Sequence, residues 1–289
     1  MGDKMFLPYY VMSKTQHVLA IAGSDPSGGA GIQADIKAIS ANGVYAMAAI
    51  TALTAQNTRG VRGVQLIAPE FVTAQIDMVF EDIRVDAVKI GMLGSPGITL
   101  AVAEALARHD AQRIVLDPVM VAKGGDRLLS EAAIRTLIER LLPLATILTP
   151  NLPEAAALLE EPELTDPAAM PALAERLLAL GPSAVLLKGG HLSGAASPDY
   201  LATAYAGVWL EAERIPTKNT HGTGCTLSSA LAAQLAIGAD SSLDLATAAR
   251  RAKAYVAAAI AHADALDVGQ GQGPTHHFHA LWPAGHAPS

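Results

Sequence analysis

The segment TKNTHGTGCTLSSALAAQLA, residues 217–236, sets two glycines just before an amphipathic helix. At such a helix start the N–H groups of Gly222, Thr223, Gly224 and Cys225 lack intrahelical acceptors and face the positive end of the helix dipole. That makes an anion site, and glycine lets the backbone approach an oxyanion closely. Cys225 adds a reactive group, since a thiol at a helix N-terminus is expected to titrate low and to serve as base or nucleophile. Two plainer readings fit the same residues: a helix start that needs flexible residues, and a cysteine acting as a small buried apolar side chain.

A second unusual group lies in the first loop and its helix. Ile32, Ile36 and Ile39 form an apolar stripe, and Asp35 shares it. A carboxylate on a core-facing stripe needs a partner. It fits a salt bridge at a helix end, and it also fits a hydrogen-bond acceptor at the bottom of a ligand pocket. Gln56, following an apolar strand, supplies a donor and an acceptor beside it. A carboxylate with an amide suits a neutral heteroaromatic ring bearing an amino group.

The elements that must position these groups alternate between strand and helix. Strands are expected at 17–23, 45–55, 64–68, 86–91, 113–117, 145–150 and 183–190. Helices are expected at 31–43, 69–84, 98–108, from the Ser130 cap to 142, from Asp166-Pro167 to Gly181, near 225–235 and at 242–263. Residues 200–215 alternate around Gly207 and read as a hairpin at a sheet edge. Repeated strand–helix units imply one three-layer α/β domain over 17–289, with a mainly parallel sheet and helices on both faces, preceded by an extension at 1–16. Ligands then sit beyond the carboxyl ends of the strands. The polar and glycine-rich segments fall there, after Ala22, Ala55, Ile90, Leu116, Leu148 and Leu187.

Composition narrows the function classes. With 289 residues, 51% hydrophobic and 16% charged, the chain can bury a large core. A net charge of −7 argues against nucleic acid or anionic lipid as partner. One cysteine excludes an internal disulfide framework. The apolar patch from Met5 to Met12 is broken by Pro8 and too short to span a bilayer, so a cytoplasmic protein is expected. Residues 29–34 match G-x-G-x-x-A, but no acid stands between Asp35 and Glu70 to meet a ribose, which argues against a dinucleotide site. No G-x-x-x-x-G-K-[ST] occurs, so there is no P-loop. His276, His277 and His279 fit no common zinc spacing and read as part of a packed aromatic tail. His191 and His221 fall either beside phosphate or on surface loops.

Seven segments together resemble one family. They are GSDPSGGAGIQADIK (23–37), TALTAQNT (51–58), KIGML (89–93), LDPVM (116–120), TPNLPEA (149–155), LKGGH (187–191) and TKNTHGTGCT (217–226). The family is the hydroxymethylpyrimidine/phosphomethylpyrimidine kinases of thiamine biosynthesis, within the ribokinase-like superfamily. The ending GPTHHFHALW (273–282) is similar to it too, so the likeness runs through nearly the whole chain. It implies a ribokinase-like sandwich that phosphorylates a pyrimidine hydroxymethyl group with ATP and Mg²⁺, then phosphorylates the monophosphate to the pyrophosphate. By motif, Asp35 and Gln56 hold the aminopyrimidine, Gly23 and Met92 line its pocket, and Val119 packs nearby. Gly222, Thr223 and Gly224 form the anion hole, and Cys225 stands where related sugar kinases carry an aspartate base. Lys188 meets the ATP phosphates, with Asn151 and Thr223 also on the ATP side. Asp117 and Glu154, with Asn151, order magnesium, directly or through its waters. The resemblance also implies a homodimer.

Three competing functions make different demands. A cysteine-nucleophile hydrolase would set His221 on Cys225 and leave Asp35 with Gln56 unexplained. A non-catalytic pyrimidine sensor on the same fold would be free to lose Lys188 or Cys225. A pyridoxine or pyridoxal kinase would use the same machinery on an alcohol of similar size. The kinase reading requires that the turn before Cys225 and the acid on the first helix open onto one hollow.

Overall fold

The computed structural model describes residues 14–120, 129–239 and 243–282. Most of the N-terminal extension, including Met5 to Met12, lies outside the described residues.

The first strand, β1 (His17–Ala22), alternates its side chains between two cores. Leu19 and Ile21 enter one; Val18, Ala20 and Ala22 enter the other. Beside it run β2 (Tyr45–Ile50) on one side and β5 (Ala87–Ile90) on the other, both parallel. β6 (Ile114–Leu116), β7 (Ile147–Leu148) and β8 (Ala184–Lys188) extend the parallel series. β9 (Asp199–Thr203) and β10 (Gly207–Leu210) close it as an antiparallel hairpin. The resulting order is β10-β9-β8-β7-β6-β5-β1-β2.

Helices cover both faces, as continuous apolar strands require. One face carries α2 (Pro69–Asp82), α3 (Pro96–Arg108), α4 (Glu131–Thr136), α5 (Leu152–Leu159) and α6 (Met170–Leu178). The other carries α1 (Gly31–Ala41), α7 (Thr223–Gly238) and α8 (Leu245–Ala261). The expected three-layer architecture is therefore the observed one. No helix among the described residues is long and apolar enough to cross a membrane.

Local structure departs from expectation at five places. The expected strand 45–55 breaks at Thr51, where β2 leaves the main sheet. The chain continues as β3 (Ala52–Asn57), paired antiparallel with β4 (Gly60–Leu66) in a separate two-stranded sheet. The expected strand 64–68 is the end of that hairpin, whose Leu53, Val64 and Leu66 are exposed. α5 is not among the expected helices; Asn151 and Glu154, expected as site residues, also cap its start, and Glu154 is a first-turn helix acid, its alternative reading. The helix from Ser130 continues only to Thr136 before a wider turn over Leu137–Leu141. α7 is not amphipathic but buried all round, and its alanines 230, 232, 233 and 236 are inaccessible.

Candidate functional site

The carboxyl ends of β1, β5, β6, β7 and β8 open onto one cleft of about 780 Å³, which the start of α7 also lines. Parallel strands aim these ends the same way, so segments far apart in sequence converge there.

Two loops form one wall by backbone packing. Gly222 adopts φ +77°, and a Cβ there would lie 1.8 Å from the Gly29 carbonyl oxygen. Gly31, at φ +54°, would collide with the Gly23 carbonyl in the same way. Asp25 braces these turns. Its Oδ1 accepts from Ser27, and its Oδ2 accepts from the Ala30 N–H at 2.9 Å and faces His221 Nε2 at 2.8 Å. Burial works to raise the Asp25 carboxyl, but the His221 and Ser27 hydrogen bonds outweigh it and hold it low. His221 thus ties the turn before α7 to Asp25 through Nε2.

Gly222 caps α7 without a side-chain hydrogen bond, Gly222 to Cys225 line the cleft, and the Thr223 amide donates to the Thr220 carbonyl at 3.4 Å. A Cβ on Gly224 would touch Lys188 Nζ at 3.4 Å and Asp117 Oδ2 at 3.6 Å, so the turn abuts a charged cluster. Within that cluster Lys188 Nζ donates to Asp117 Oδ1 at 3.0 Å and lies 3.8 Å from Glu154 Oε2. Ser228, one turn along α7 from Gly224, donates to Asp117 Oδ2 at 3.2 Å. Burial opposes ionisation of Asp117, yet the charges of Lys188 and Lys89 hold it below the usual carboxylate range. Glu154 goes the other way, to about 7, because burial and repulsion from Asp117 exceed the pull of Lys188. Burial works to lower Lys188, but Asp117 and Glu154 keep it firmly protonated.

Asn151 and Glu154 are occupied locally. The Asn151 side chain accepts from the Glu154 N–H, and Glu154 Oε2 accepts from the Asn151 N–H, both at 2.8 Å. This reciprocal cap starts α5 and aims Glu154 into the cleft. Among the described residues no three or more His, Cys, Asp or Glu side chains gather to hold a metal. Two acids spanned by an ammonium do not make a metal cage. They do suit an ion carried on phosphate oxygens and water, which Asp117 and Glu154 would meet through that water.

The ring-side residues come from four segments. Gly23, Gln56, Met92 and Val119 all line the cleft. Gly23 leaves the space that Met92 fills, since a Cβ there would lie 2.4 Å from Met92 Cε. Gln56 arrives on the β3–β4 hairpin, not on a main-sheet strand end. That hairpin is tied down by Ser24 N–H to the Ala52 carbonyl, 2.8 Å, and by Thr54 Oγ1 to the Ser24 carbonyl, 2.9 Å.

Asp35 is not exposed at the cleft floor as expected. It is fully buried behind Lys89, whose Nζ donates to its two oxygens at 2.8 and 2.9 Å, and Ser229 Oγ donates at 2.8 Å. Lys89, itself fully buried, reaches the cleft in its place. The sequence does carry a sign of this pair: a lysine inside the apolar run DAVKIG needs a buried anion, and Asp35 needed a cation. Asp25 and Ser229 have no comparable signal.

The Cys225 expectation also needs correction. Its thiol is pushed up to about 11: burial comes first, and the charges of Asp35 and Asp117 add to it. Lys89 and a hydrogen bond from the Gly31 backbone oppose the rise without overcoming it. The first helix and the start of α7 do come together, since Ser229, four residues after Cys225, donates to Asp35 at 2.8 Å, but Asp35 itself does not open onto the cleft as required. In the tail, His277 Nε2 meets Thr226 Oγ1 at 3.1 Å, and His276 and Phe278 pack on Trp282, as a packed aromatic tail should.

Comparison with known proteins adds the lineage. The profile described as phosphomethylpyrimidine kinase matches residues 25–276. A Salmonella typhimurium protein named hydroxymethylpyrimidine/phosphomethylpyrimidine kinase is 55% identical over 266 residues, 92% of this chain and 98% of that one. The crystal structure of a phosphomethylpyrimidine kinase from Clostridium difficile is 43% identical, with a TM-score of 0.74 over 85% of this chain and all of that one. A Staphylococcus aureus pyridoxal kinase, solved in complex with AMP-PCP and pyridoxal, is 31% identical, with a TM-score of 0.84 over 94% and 96% of the two chains.

Proposed function

The chain belongs to the phosphomethylpyrimidine kinase family and is a phosphotransferase, and we propose that its cleft passes the terminal phosphoryl group of ATP to 4-amino-5-hydroxymethyl-2-methylpyrimidine and then to the resulting monophosphate, in thiamine biosynthesis. One observation carries this reading: the Gly222–Cys225 turn, Lys188 and the ring-side residues Gly23, Gln56, Met92 and Val119 share a single cleft.

Phosphoryl transfer asks mainly for alignment and charge stabilisation. In the proposed arrangement Gln56 orients the aminopyrimidine, with Met92 and Val119 packed on the ring. The amides of Gly222, Thr223 and Gly224 hold the group in transfer, and Lys188 supplies a fixed cation. Asn151 stays on the ATP side as the cap of α5. Magnesium, when bound, neutralises charge on the phosphate oxygens. A thiol titrating near 11 is almost wholly protonated at neutral pH, so little thiolate is available as a base. Cys225 therefore assists the first step by position more than as a base, and the second acceptor, already an anion, needs little base.

The proposal includes a cytoplasmic setting and a homodimer, for which the apolar side chains exposed on the β3–β4 sheet offer a surface. The domain extends from 17 to the chain end, behind the short extension at 1–16. A second reading, pyridoxal kinase, is favoured by the structural likeness to the Staphylococcus aureus enzyme, but the sequence identity to the Salmonella typhimurium pyrimidine kinase is far higher. The test is ADP release from MgATP with the pyrimidine alcohol, its monophosphate, pyridoxal or no acceptor. ADP formed with the first two well above pyridoxal is expected. Release independent of acceptor, or none with either pyrimidine, would refute the proposal.

A further inference from the structure

Among the described residues Lys89 is the largest wholly buried side chain, and nothing in the reaction as described uses it. It stands on β5 between Val88 and Ile90, which face the opposite core, so its side chain enters the layer of α1 and α7. Its neighbours in register there are Ala20 and Val115, both inaccessible apolar residues. Gly91 makes room for it, since a Cβ at that position would lie 2.7 Å from Nζ. A buried ion pair rarely contributes net stability over apolar residues of similar size, so its presence asks for another reason.

The placement supplies one. Two of the three ammonium hydrogens go to the oxygens of Asp35. No other acceptor among the described residues lies within hydrogen-bond distance, and the side chain lines the cleft. Asp35 is fixed from the far side by Ser229, which sits one helical turn after Cys225 on the same face of α7. Lys89, Asp35 and Ser229 thus form a hydrogen-bonded chain that ends on α7 one turn past Cys225, which lines the same cleft as Lys89.

We propose that Lys89 is a positioning residue of the transfer site: it fixes the Asp35 carboxylate beneath the ring pocket and supplies the cation that the Cys225 sulfur faces. This rests on the reading of the cleft as the phosphoryl-transfer site. The charged groups acting on Cys225 are Lys89, Asp35, Asp117 and Lys188. Lys89 and Asp35 act with opposite signs, so removing them must move the thiol in opposite directions.

The chain's single cysteine makes the test direct. Alkylation of the full-length protein by iodoacetamide at about pH 9, followed by intact mass, reads thiolate at Cys225 alone. Variants whose thermal melts show them folded are compared. Lys89→Met is expected to slow alkylation about tenfold and Asp35→Asn to speed it about tenfold, one pKa unit each way for a neighbouring charge. The double variant is expected to lie within about threefold of the unmodified chain, its two shifts of one unit cancelling. If Lys89→Met does not fold, the comparison of Asp35→Asn with the double variant carries the same expected tenfold slowing. Changes of the same sign in both single variants would report loosened packing and overturn the proposal, as would no change on removing Lys89. Failure of the phosphotransfer reading would appear separately, as an absence of acceptor-dependent ADP from the unmodified protein.

Discussion

Cys225 lies in the field of two ion pairs, Lys89 with Asp35 and Lys188 with Asp117. An aspartate at this position would add a fixed negative charge to a site that already holds two carboxylates. The hydroxymethyl acceptor is neutral and would tolerate it; the phosphomethyl acceptor is an anion and would be repelled. We expect Cys225→Asp to lower kcat/KM for the monophosphate at least tenfold more than for the alcohol, since like charges at this range cost more than ~1.4 kcal/mol in a poorly solvated site. Steady-state kinetics with each acceptor checks this. Equal losses would mean that the thiol is not retained to admit an anion.

At the scale of elements, α5 couples structure to the site through its cap. Its Glu154 accepts the Asn151 N–H while titrating near 7, above its ordinary 4.5, because burial disfavours the charged form. The folded protein therefore holds a proton that the unfolded chain has released between those values. The stabilisation from this proton is full below about 4.5 and is lost as pH rises through 7. Glu154→Gln keeps an acceptor for the cap and removes the titration. Denaturation of the metal-free protein across pH 5 to 7.5 is expected to favour the variant increasingly, by about 3 kcal/mol at the top of the range. Parallel stability curves for the two proteins would contradict this.

The elements also mark how far sequence reasoning reaches. Long apolar strands and capped helices were readable, because burial on two faces leaves continuous hydrophobic runs, and residues such as Ser130 and Gly181 mark where helices start and stop. The break at Thr51 was not, since both halves of 45–55 are apolar and only tertiary pairing sends the second half into the hairpin with β4. α5 was hidden by its own chemistry: Asn151 and Glu154 looked like ligands and proved to be caps as well. At the site, Gly23, Gln56, Met92, Lys188 and the α7 start were legible from motif and position. The link from Asp25 to His221 spans 196 residues and has no local signal. The direction of the Cys225 shift was misread because a helix start says nothing of which carboxylates fold against it.

For the molecule as a whole, a net charge of −7 forces anion handling to be local. The fold achieves this by aiming the ends of five parallel strands at one cleft, where Lys188 sits against the amide turn of α7. A ring-borne alcohol and its phosphate can then use the same opening in turn, the second product differing from the first only by one more phosphoryl group at the same place. The most direct measurement is the mass of the products formed over time from the pyrimidine alcohol, MgATP and the purified protein. The expected result is a species one phosphate heavier that rises and then gives way to one two phosphates heavier. An alcohol that gains no phosphate while ATP and protein are both intact would contradict the account.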